Sequence, residues 1–463
     1  MSASQDTGPR PDGLDAPQRH WAWLAIMLTV TLAVLDGTIA NVALPSIAGD
    51  FGASPSASIW IVNGYQLAVV VSLLPIASLG EILGYRRVYL AGVVLFTAAS
   101  LACMLADSLP ALTAARVLQG FGGAGVMSVN TALIRYVVPR AKFGAALGIN
   151  ALIVASAATA GPPLAGFILT WFSWQWLFAI NVPLGIAAVA IGLFSLPMSD
   201  RSARRFDWAS ALLSAVTIGL MVTTIDTLGH GEGAARIAAG LAGMAIAAAL
   251  LVRRAMRVEE PLLPLDLLRL PVFAMSIGTS VASFSAQMLA FVSLPFVFQS
   301  VMGFSPGEVG LLMMPWPLAT AFAAPLAGRL ADRHSPAILG GAGLAAMAAG
   351  LALLMALPAH PDAGDIAWRM LLCGAGFGFF QTPNNRTLIT SAPKERSGSA
   401  SGMLSTARLT GQTIGAALAS LLLARLGITG AVTALGVAAG FAALAAAVSL
   451  ARLRFFETHE ARG

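Results

Sequence analysis

The sequence predicts an all-α integral membrane protein with fourteen transmembrane helices. Of its 463 residues, 57% are hydrophobic and only 10% are charged, and the mean hydropathy is +0.80. A soluble globular domain has about 25% charged residues, so this chain has too little polar surface for a soluble globule of its size. Apolar stretches long enough to span a bilayer recur from one end to the other, which favours one continuous membrane unit over several soluble domains.

Composition also argues against several classes of function. The 27 Lys and Arg residues lie mostly in short clusters between apolar runs, which suits membrane orientation better than a nucleic-acid-binding face. The two cysteines, Cys103 and Cys373, lie in different apolar runs, so neither a disulfide framework nor a metal-ligand cluster is indicated. The sequence contains no GxxxxGK[ST] run and no nucleophile–base arrangement, so we expect neither ATP-driven work, nor an enzyme, nor a cofactor.

The chain opens with a polar segment, residues 1–20, that lacks the basic start and short apolar core of a cleaved signal peptide. We expect this segment to be a flexible cytoplasmic tail, and residues 453–463 to be a second one. Between the tails lie fourteen apolar stretches, each near the ~20 residues that a helix needs to cross ~30 Å of hydrocarbon. The predicted spans are 21–44, 60–79, 88–106, 109–134, 143–169, 176–196, 208–228, 234–251, 272–301, 309–330, 337–357, 366–389, 402–423 and 430–450.

The loop charges predict that both termini lie on the cytoplasmic side. Basic residues gather in every second connection, and the remaining connections hold almost none apart from Arg236 and Arg425. Because cytoplasmic loops carry the excess of Lys and Arg, the basic set marks the inner face. This set is Arg86, Arg87, Arg135, Arg140, Lys142, Arg201, Arg204, Arg205, Arg253, Arg254, Arg257, Arg329, Arg333, Lys394 and Arg396.

A repeated segment divides the chain. PIASLGEILGYRR follows span two and PLAGRLADRHSP follows span ten, and each places an acidic residue and arginines at an inner helix end. The offset of eight spans predicts a six-helix bundle at 21–197, two extra spans with their loops at 198–260, and a second six-helix bundle at 261–452. Parallel repeats of this kind are a transporter architecture. The residues expected to latch the inner face are Glu81, Gly84, Arg86, Arg87, Asp332 and Arg333.

Two charged residues lie inside predicted spans at similar depth. Asp36 is about fifteen residues into span one, or ~22 Å from its inner edge, and Arg116 is about seven residues, or ~11 Å, from the outer end of span four. An intramembrane charge is costly and is a functional-site candidate by default. Separating the pair during transport would favour protonation of Asp36, which predicts a proton switch. A static buried pair, or a helix-end charge that reaches water, is the alternative.

The remaining polar residues of the spans are candidates for a substrate pocket or a hydrogen-bond network. Membrane Asn and Gln are commonly interhelical contacts instead, and aromatic residues commonly face lipid or the core. Arg408 lies about nine residues from the inner edge of span thirteen, deep enough to need a partner or a water-filled cavity. The candidates are Asn63, Tyr65, Gln66 and Gln119 on spans two and four, and Gln287, Phe291, Gln381, Asn384, Arg408 and Gln412 on spans nine, twelve and thirteen.

Span five contains the segment AGPPLAG, with Gly161, Pro162 and Pro163. Paired prolines remove backbone donors and bend a helix, while glycines permit close packing. A bend that faces the other bundle predicts a hinge or a seal against leak. An ordinary packing kink is the alternative.

Six of these segments together resemble a known family. LDGTIANVALP on span one contains Asp36 and Asn41, WIVNGYQLA opens span two, and RVLQGFGGA lies on span four. AGPPLAG lies on span five, WQWLFAINVPLG opens span six, and ARLTGQTIG lies on span thirteen. In this order the chain resembles the major facilitator superfamily, specifically its fourteen-span drug:proton antiporters of EmrB/QacA type. The resemblance implies two six-helix bundles with two extra central helices, and it associates Arg116 and Gln119 with proton coupling.

The chain also departs from that family's pattern. Glu81 and Ile82 stand where the loop motif usually has Asp and a following Arg, which weakens a charge relay there. Asn63 and Arg408 stand where some multidrug members have acidic residues. Few intramembrane carboxylates remain, with Asp226 the other clear candidate, and this puts dicationic substrates in doubt.

The resemblance implies a proton-coupled exporter of lipophilic drugs or toxic small molecules that works by alternating access in the bacterial cytoplasmic membrane. Its partners would be the lipid bilayer, the substrate and protons, with the proton gradient as energy source and no nucleic acid. Accessory periplasmic and outer-membrane efflux partners are an open option. A transporter of one specific metabolite is the first alternative, and a membrane receptor that binds without transport is the second.

Overall fold

The computed structural model describes residues 12–202, 206–231, 233–258, 261–358, 360–393 and 396–453. The expected tails therefore lie largely outside the described residues, as do the inner-loop residues Arg204, Arg205 and Lys394. Within the described ranges the chain is helical and contains no strand. Fourteen long helices, each carrying the predicted span of the same number, are α1 Gln18–Asp50, α2 Pro55–Leu83, α3 Tyr85–Met104, α4 Leu109–Val137, α5 Arg140–Trp171, α6 Gln175–Ser195, α7 Trp208–His230, α8 Ala234–Ala255, α9 Pro271–Val301, α10 Pro306–Leu330, α11 Pro336–Met355, α12 Ala363–Ser391, α13 Ser397–Leu426 and α14 Thr429–Ala451.

Thirteen of the described helices are long and apolar enough to cross a membrane. The exception is α12, which has 29 residues but carries Asp365, Arg369, Gln381, Asn384 and Arg386. Its polar side chains lower its hydropathy without shortening it. The predicted fold class, two six-helix bundles plus two extra helices, is confirmed.

Helix contacts in the first bundle recur in the second with an offset of eight. Helix α4 packs on α2 and α3, as α12 packs on α10 and α11; α1 packs on α5 and α6, as α9 packs on α13 and α14. Close approach depends on small residues at equivalent crossings. The backbone of α3 leaves no room for a Cβ on Gly122 of α4, and the backbone of α11 leaves none on Gly376 of α12. Packing at small residues replaces the hydrophobic effect as the driving force between helices in lipid.

The two extra helices lie at the side of this pseudosymmetric core. Helix α7 packs against α2 and α13, one from each bundle, and α8 packs against α7. Asp207 caps the start of α7 by accepting a hydrogen bond from Ser210 N at 3.1 Å, and it pairs with Arg254 at the end of α8 at 2.8 Å. The extra pair is therefore held together at its predicted cytoplasmic end.

The two bundles meet tightly at the predicted outer end of α5 and α10. A Cβ on Gly166 would lie 2.9 Å from the Pro306 carbonyl oxygen, and Gly310 packs directly on the backbone of Pro162. At the inner end of α5, by contrast, a Cβ on Gly144 would meet no described atom within 4 Å. The two bundles are thus packed backbone against backbone at the outer end of α5 and α10.

Candidate functional site

A cavity of about 740 Å³ lies between the two bundles. Helices α1 and α5 of the first bundle and α9, α10, α12 and α13 of the second supply its walls. Its volume is in the range typical of small-molecule sites, which are mostly apolar with a few placed polar groups. Its polar lining is Thr38, Asn41, Asn150, Gln287, Thr320, Gln381, Thr382, Arg408 and Gln412, and its larger apolar lining residues are Phe284, Phe291, Met313 and Phe377.

The structure sorts the pocket candidates from the sequence into three groups. Six of them line the cavity: Asn41, Gln287, Phe291, Gln381, Arg408 and Gln412. Gln119 and Asn384 belong to two separate buried networks. Asn63, Tyr65 and Gln66 are buried on α2 and are absent from the described cavity lining.

Asp36 lies at the centre of the first network and is completely buried. Arg116 Nη1 donates to its Oδ2 at 2.5 Å. Gln119 Nε2 donates to its Oδ1 at 2.8 Å, and Asn181 Nδ2 donates to the same oxygen at 3.0 Å. Both carboxylate oxygens thus have hydrogen-bond donors, Oδ2 from α4 and Oδ1 from α4 and α6. A charge buried in a membrane protein requires such partners.

The guanidinium of Arg116 is held on several sides as well. Its Nε donates to Ile61 O at 3.2 Å, and its Cζ lies 4.4 Å from the centroid of the Tyr65 ring and 5.5 Å from that of Phe178. Desolvated cation–π contacts of this kind stabilise an arginine by about 2 kcal/mol. Tyr65, expected in the pocket, therefore positions the Arg116 charge instead.

This network adjoins the cavity through α1 and α5. Thr38 and Asn41, the next positions on α1 after Asp36 that line the cavity, are two and five residues away from it. Gly161 of α5 packs so closely on the Thr38 side chain that a Cβ there has no room. A movement of α5 at Gly161 and Pro162 would therefore press on the turn of α1 that carries Asp36.

A second buried network lies in the C-terminal bundle, and sequence reasoning missed its centre. Arg452, directly after α14, is fully buried and donates to Ser276 Oγ at 2.8 Å, Asn384 Oδ1 at 2.7 Å and Ser449 Oγ at 2.6 Å. Asn384 in turn donates to Ser280 Oγ at 2.8 Å. An arginine at the inner end of the last span looks like a membrane anchor in sequence, and no local pattern distinguishes it from one.

Asn181 was also missed as a functional residue, although it lies within the WQWLFAINVPLG segment. It opens the long part of α6 and is 1% exposed. An amide at the start of an otherwise apolar helix was the available signal. The hydrogen bond from Asn181 to Asp36 could not be predicted from the sequence, because α1 and α6 are far apart in the chain.

Arg408 lines the cavity from α13, one turn from Gln412. Its Nε is shielded from solvent and has no hydrogen-bond partner among the described residues. The Oδ1 of Asn41 is likewise shielded and has no partner among the described residues.

Two residues expected to latch the inner face, Asp332 and Arg86, make described contacts within their own bundle. Asp332 pairs with Arg386 of α12, and the neighbouring Arg333 is exposed. Arg86 donates to Leu193 O in the first bundle.

The other residues of the first loop motif, Glu81, Gly84 and Arg87, lie at or beside the turn between α2 and α3. Glu81 accepts a backbone hydrogen bond from Ser202 N at 2.7 Å. Gly84 has a φ of +99° and lets the chain reverse between α2 and α3, and Arg87 is exposed. A turn of this kind favours glycine because a side chain is strained at positive φ.

Asp226, the other intramembrane carboxylate candidate, lies at the outer end of α7. It accepts hydrogen bonds from Trp60 Nε1 at 3.2 Å and from Ser420 Oγ at 3.4 Å. It therefore ties the extra helix to α2 and α13. It is not part of the cavity lining, and among the described residues no group of three His, Cys, Asp or Glu side chains could hold a metal ion.

An ion pair outside the spans joins the two segments of the second bundle that precede α9 and α13. Asp266, before α9, accepts two hydrogen bonds from Arg396, before α13, at 2.7 and 3.0 Å. These bonds hold the pKa of Asp266 below its ordinary value. About a third of each side chain is exposed.

A family model described as the Major Facilitator Superfamily matches residues 26–409 and 275–462. Together the matches span nearly the whole helical region, and the chain belongs to this family. Its members are transporters, so the chain is a multi-pass membrane transporter for a small molecule and not an enzyme.

Curated relatives extend over most of the chain. It is 54% identical over 444 residues to an Escherichia coli (strain K12) protein described as the uncharacterized transporter YebQ, covering 96% of this chain and 97% of that protein. It is 34% identical to the multidrug resistance protein Stp of Mycobacterium tuberculosis, covering 88% and 76%. It is 30% identical to the riboflavin transporter RibZ of Clostridioides difficile, covering 87% of this chain and 88% of that protein.

Solved structures share the fold at low sequence identity. A bacterial homologue of the human lysosomal transporter Spinster, inward-facing and unoccupied, has a TM-score of 0.69 and 16% identity over 96% of this chain and 99% of that one. A peptide transporter, POT, in complex with sulfate has a TM-score of 0.71 and 14% identity over 94% of each chain.

Proposed function

We propose that this transporter exports lipophilic small molecules in exchange for protons, by alternating access, in the bacterial cytoplasmic membrane. The observation that carries the proposal is the position of Asp36. It is a buried carboxylate on the helix that also supplies Thr38 and Asn41 to the central cavity. One helix therefore links a protonatable group to the substrate path.

Asp36 would take up a proton when the outer side opens. In the present conformation it is sealed from solvent and paired with Arg116. Water that reached the pair from outside would weaken the attraction, and a proton on Asp36 would remove it. Gln119 and Asn181 would then keep the neutral carboxyl in place until the cavity turned inward.

The contact between α5 and α10 supports rocking of the two bundles. Gly166 and Gly310 bring the two backbones together at the outer end, where a larger residue would hold them apart. Pro162 lies within α5, where it removes a backbone hydrogen-bond donor, and it also lines the cavity. Opening this seal while closing the inner side would expose one cavity alternately to the two faces.

We assign the chain to the fourteen-span drug:proton antiporters of EmrB/QacA type within the superfamily. The two extra helices between the bundles and the motifs on spans one, four and five support this assignment. The Stp relative, described as a multidrug resistance protein, supports a lipophilic drug or toxin as cargo. The bacterial sources of the relatives support the cytoplasmic membrane as its location, and periplasmic or outer-membrane partners would extend the same route.

Reconstitution into liposomes with an imposed pH gradient tests the proton role. A panel of lipophilic inhibitors in an efflux-deficient host first identifies a cargo, and the purified protein is then assayed for uphill movement of that cargo. We expect Asp36→Asn to abolish uphill movement, because an amide keeps the shape and cannot carry the proton. Substrate binding should persist.

Asp226→Asn is the matched control for this variant. Its carboxylate also lies within a span but outside the Asp36 network and the cavity, and an amide oxygen can still accept from Trp60. We expect it to keep most uphill transport. Uphill movement by Asp36→Asn at the wild-type rate would overturn the proposal.

A transporter of one defined metabolite is the second candidate. The relative described as a riboflavin transporter favours it, because the match covers 87% of this chain. Competition assays separate the two: one compound class that alone inhibits flux would favour the metabolite, and mutual inhibition among unrelated lipophiles would favour the drug exporter.

A further inference from the structure

The charge of the central cavity is the observation that leads further. Its described lining residues include one ionisable side chain, Arg408, and no carboxylate. The Arg408 Nε is shielded from solvent and has no described hydrogen-bond partner. A guanidinium at this depth is costly unless a counter-charge or water satisfies it.

Asp36, the buried carboxylate on the cavity helix α1, already has other partners. Both oxygens of Asp36 accept from other groups, and its ion-pair partner is Arg116. The Asp36–Arg116 pair is neutral as a unit. The net charge that faces the cavity is therefore the +1 of Arg408.

The groups near Arg408 suit an anion on an apolar body. Gln412 lies one helical turn from it, and Gln287 and Gln381 reach the same cavity from α9 and α12. Primary amides donate to a carboxylate or sulfonate, and a guanidinium binds such a group through paired hydrogen bonds. Phe284, Phe291, Phe377 and Met313 supply apolar and aromatic surface for the rest of the molecule.

We infer that the cavity binds an amphipathic organic anion, a carboxylate or sulfonate on an aromatic or aliphatic body, with Arg408 as its charge-binding residue. The inference rests on the proposed function, since it names the class of molecule that the transporter carries. A lipophilic cation would meet the unpaired charge of Arg408 without a carboxylate to offset it. A neutral molecule would leave that charge unpaired.

Equilibrium binding to the purified protein in lipid nanodiscs tests the inference. Three probes share one ring system and differ in charge: naphthylacetate, naphthylacetamide and naphthylethylammonium. Equilibrium dialysis against nanodiscs with and without the protein gives the saturable binding of each probe. We expect the anion to bind about tenfold or more tightly than the cation, since only the anion can accept charge-assisted hydrogen bonds from Arg408.

Substitutions at Arg408 locate the preference. Arg408→Gln should weaken naphthylacetate binding about tenfold or more and leave the amide nearly unchanged, and Arg408→Lys should retain part of the anion affinity. Arg408→Glu should reverse the order, with the ammonium probe bound most tightly. Arg425→Gln is the matched control: Arg425 lies at the outer end of the same helix, is exposed, and donates to Leu228 O.

Several results would overturn the inference. They are the absence of saturable naphthylacetate binding, equal or tighter binding of the cation, and unchanged anion affinity in Arg408→Gln. Binding requires neither a proton gradient nor net flux. A protein that binds the anion through Arg408 yet moves nothing uphill would uphold this inference and contradict the proposed function, and Asp36-dependent uphill flux with a preference for the cation would do the opposite.

Discussion

Among the described residues each bundle buries one arginine where three helices meet, and the two sites differ in what holds that arginine. In the N-terminal bundle Arg116 of α4 pairs with the carboxylate of Asp36 on α1. In the C-terminal bundle Arg452, directly after α14, is held by Ser276 of α9 and Asn384 of α12, both uncharged. Helices α1, α4 and α6 are the counterparts of α9, α12 and α14 at the offset of eight.

The difference separates a site that can switch from one that cannot. Arginine stays protonated in proteins, so the charge of Arg452 among hydroxyl and amide partners is constant. The Asp36 site contains a group that can gain a proton and thereby lose its attraction to Arg116. The two related bundles supply two buried arginine sites. Only the site that contains the Asp36 carboxylate has a second, protonated state.

The largest expected effect follows from removing the arginine of the switching site. Arg116→Ala leaves Asp36 buried without its counter-charge, and breaking a buried pair costs about 3–5 kcal/mol. We expect a large loss of thermal stability in detergent and no proton-coupled flux. Arg116→Lys, which keeps the charge, should recover much of the stability; an Arg116→Ala protein as stable as wild type would show that the pair is not a buried ion pair.

The constant site should respond less strongly and in stability alone. Arg452→Met keeps the side-chain volume but leaves Ser276, Asn384 and Ser449 without their donor, at about 1–3 kcal/mol for unsatisfied buried groups. The thermal midpoint should fall while the pH dependence of transport stays as in wild type. A shifted pH profile would mean that Arg452 takes part in coupling.

Removing one partner from the constant site should have a smaller effect. Ser276→Ala deletes one of the hydroxyl acceptors of Arg452 and leaves Asn384 and Ser449 in place. One hydrogen bond contributes about 1 kcal/mol, so a modest decrease in the thermal midpoint is expected. Ser283→Ala, on the same helix and bonded only to Ser280 O among its described contacts, is the control; equal decreases in both variants would contradict the assigned role of Ser276.

The smallest effect is expected at the partly exposed pair of Asp266 and Arg396. Because the pKa of Asp266 is lowered on folding, its stabilising effect is present above the unfolded value of about 3.9 and is lost as the pH falls through the folded value. Exposed pairs contribute about 1 kcal/mol or less. The difference in thermal midpoint between wild type and Asp266→Asn should therefore be small at pH 7 and vanish in acid, and a difference that grows in acid would contradict this sign.

A large part of the fold could be predicted from the sequence. Span number follows from hydropathy, because every segment that crosses lipid must be apolar and internally hydrogen-bonded. The eight-span repeat gave the division into two bundles, and α12 was found although polar residues lower its hydropathy. Asp36, Arg116 and Gln119 stood out because so few polar residues lie within spans.

The partners of those residues could not be predicted in the same way. The bond of Asn181 to Asp36, the stacking of Tyr65 on Arg116, and the turning of Asp332 toward Arg386 each join segments far apart in the chain. Hydropathy indicates whether a helix spans the membrane. It does not indicate how that helix is rotated about its axis. Rotation is set by which small residues meet at a helix crossing.

The sequence by itself determined that the chain is a many-span membrane protein with two related bundles and one prominent intramembrane carboxylate, because composition and loop charge are properties of segments. Only the tertiary structure decided which polar side chains face the cavity and which are already satisfied. In that structure the Nε of Arg408 has no described partner, whereas Arg452 donates hydrogen bonds to three side chains. These two arginines of the C-terminal bundle differ in this way because helix packing, not residue type, determines which groups a buried charge can reach.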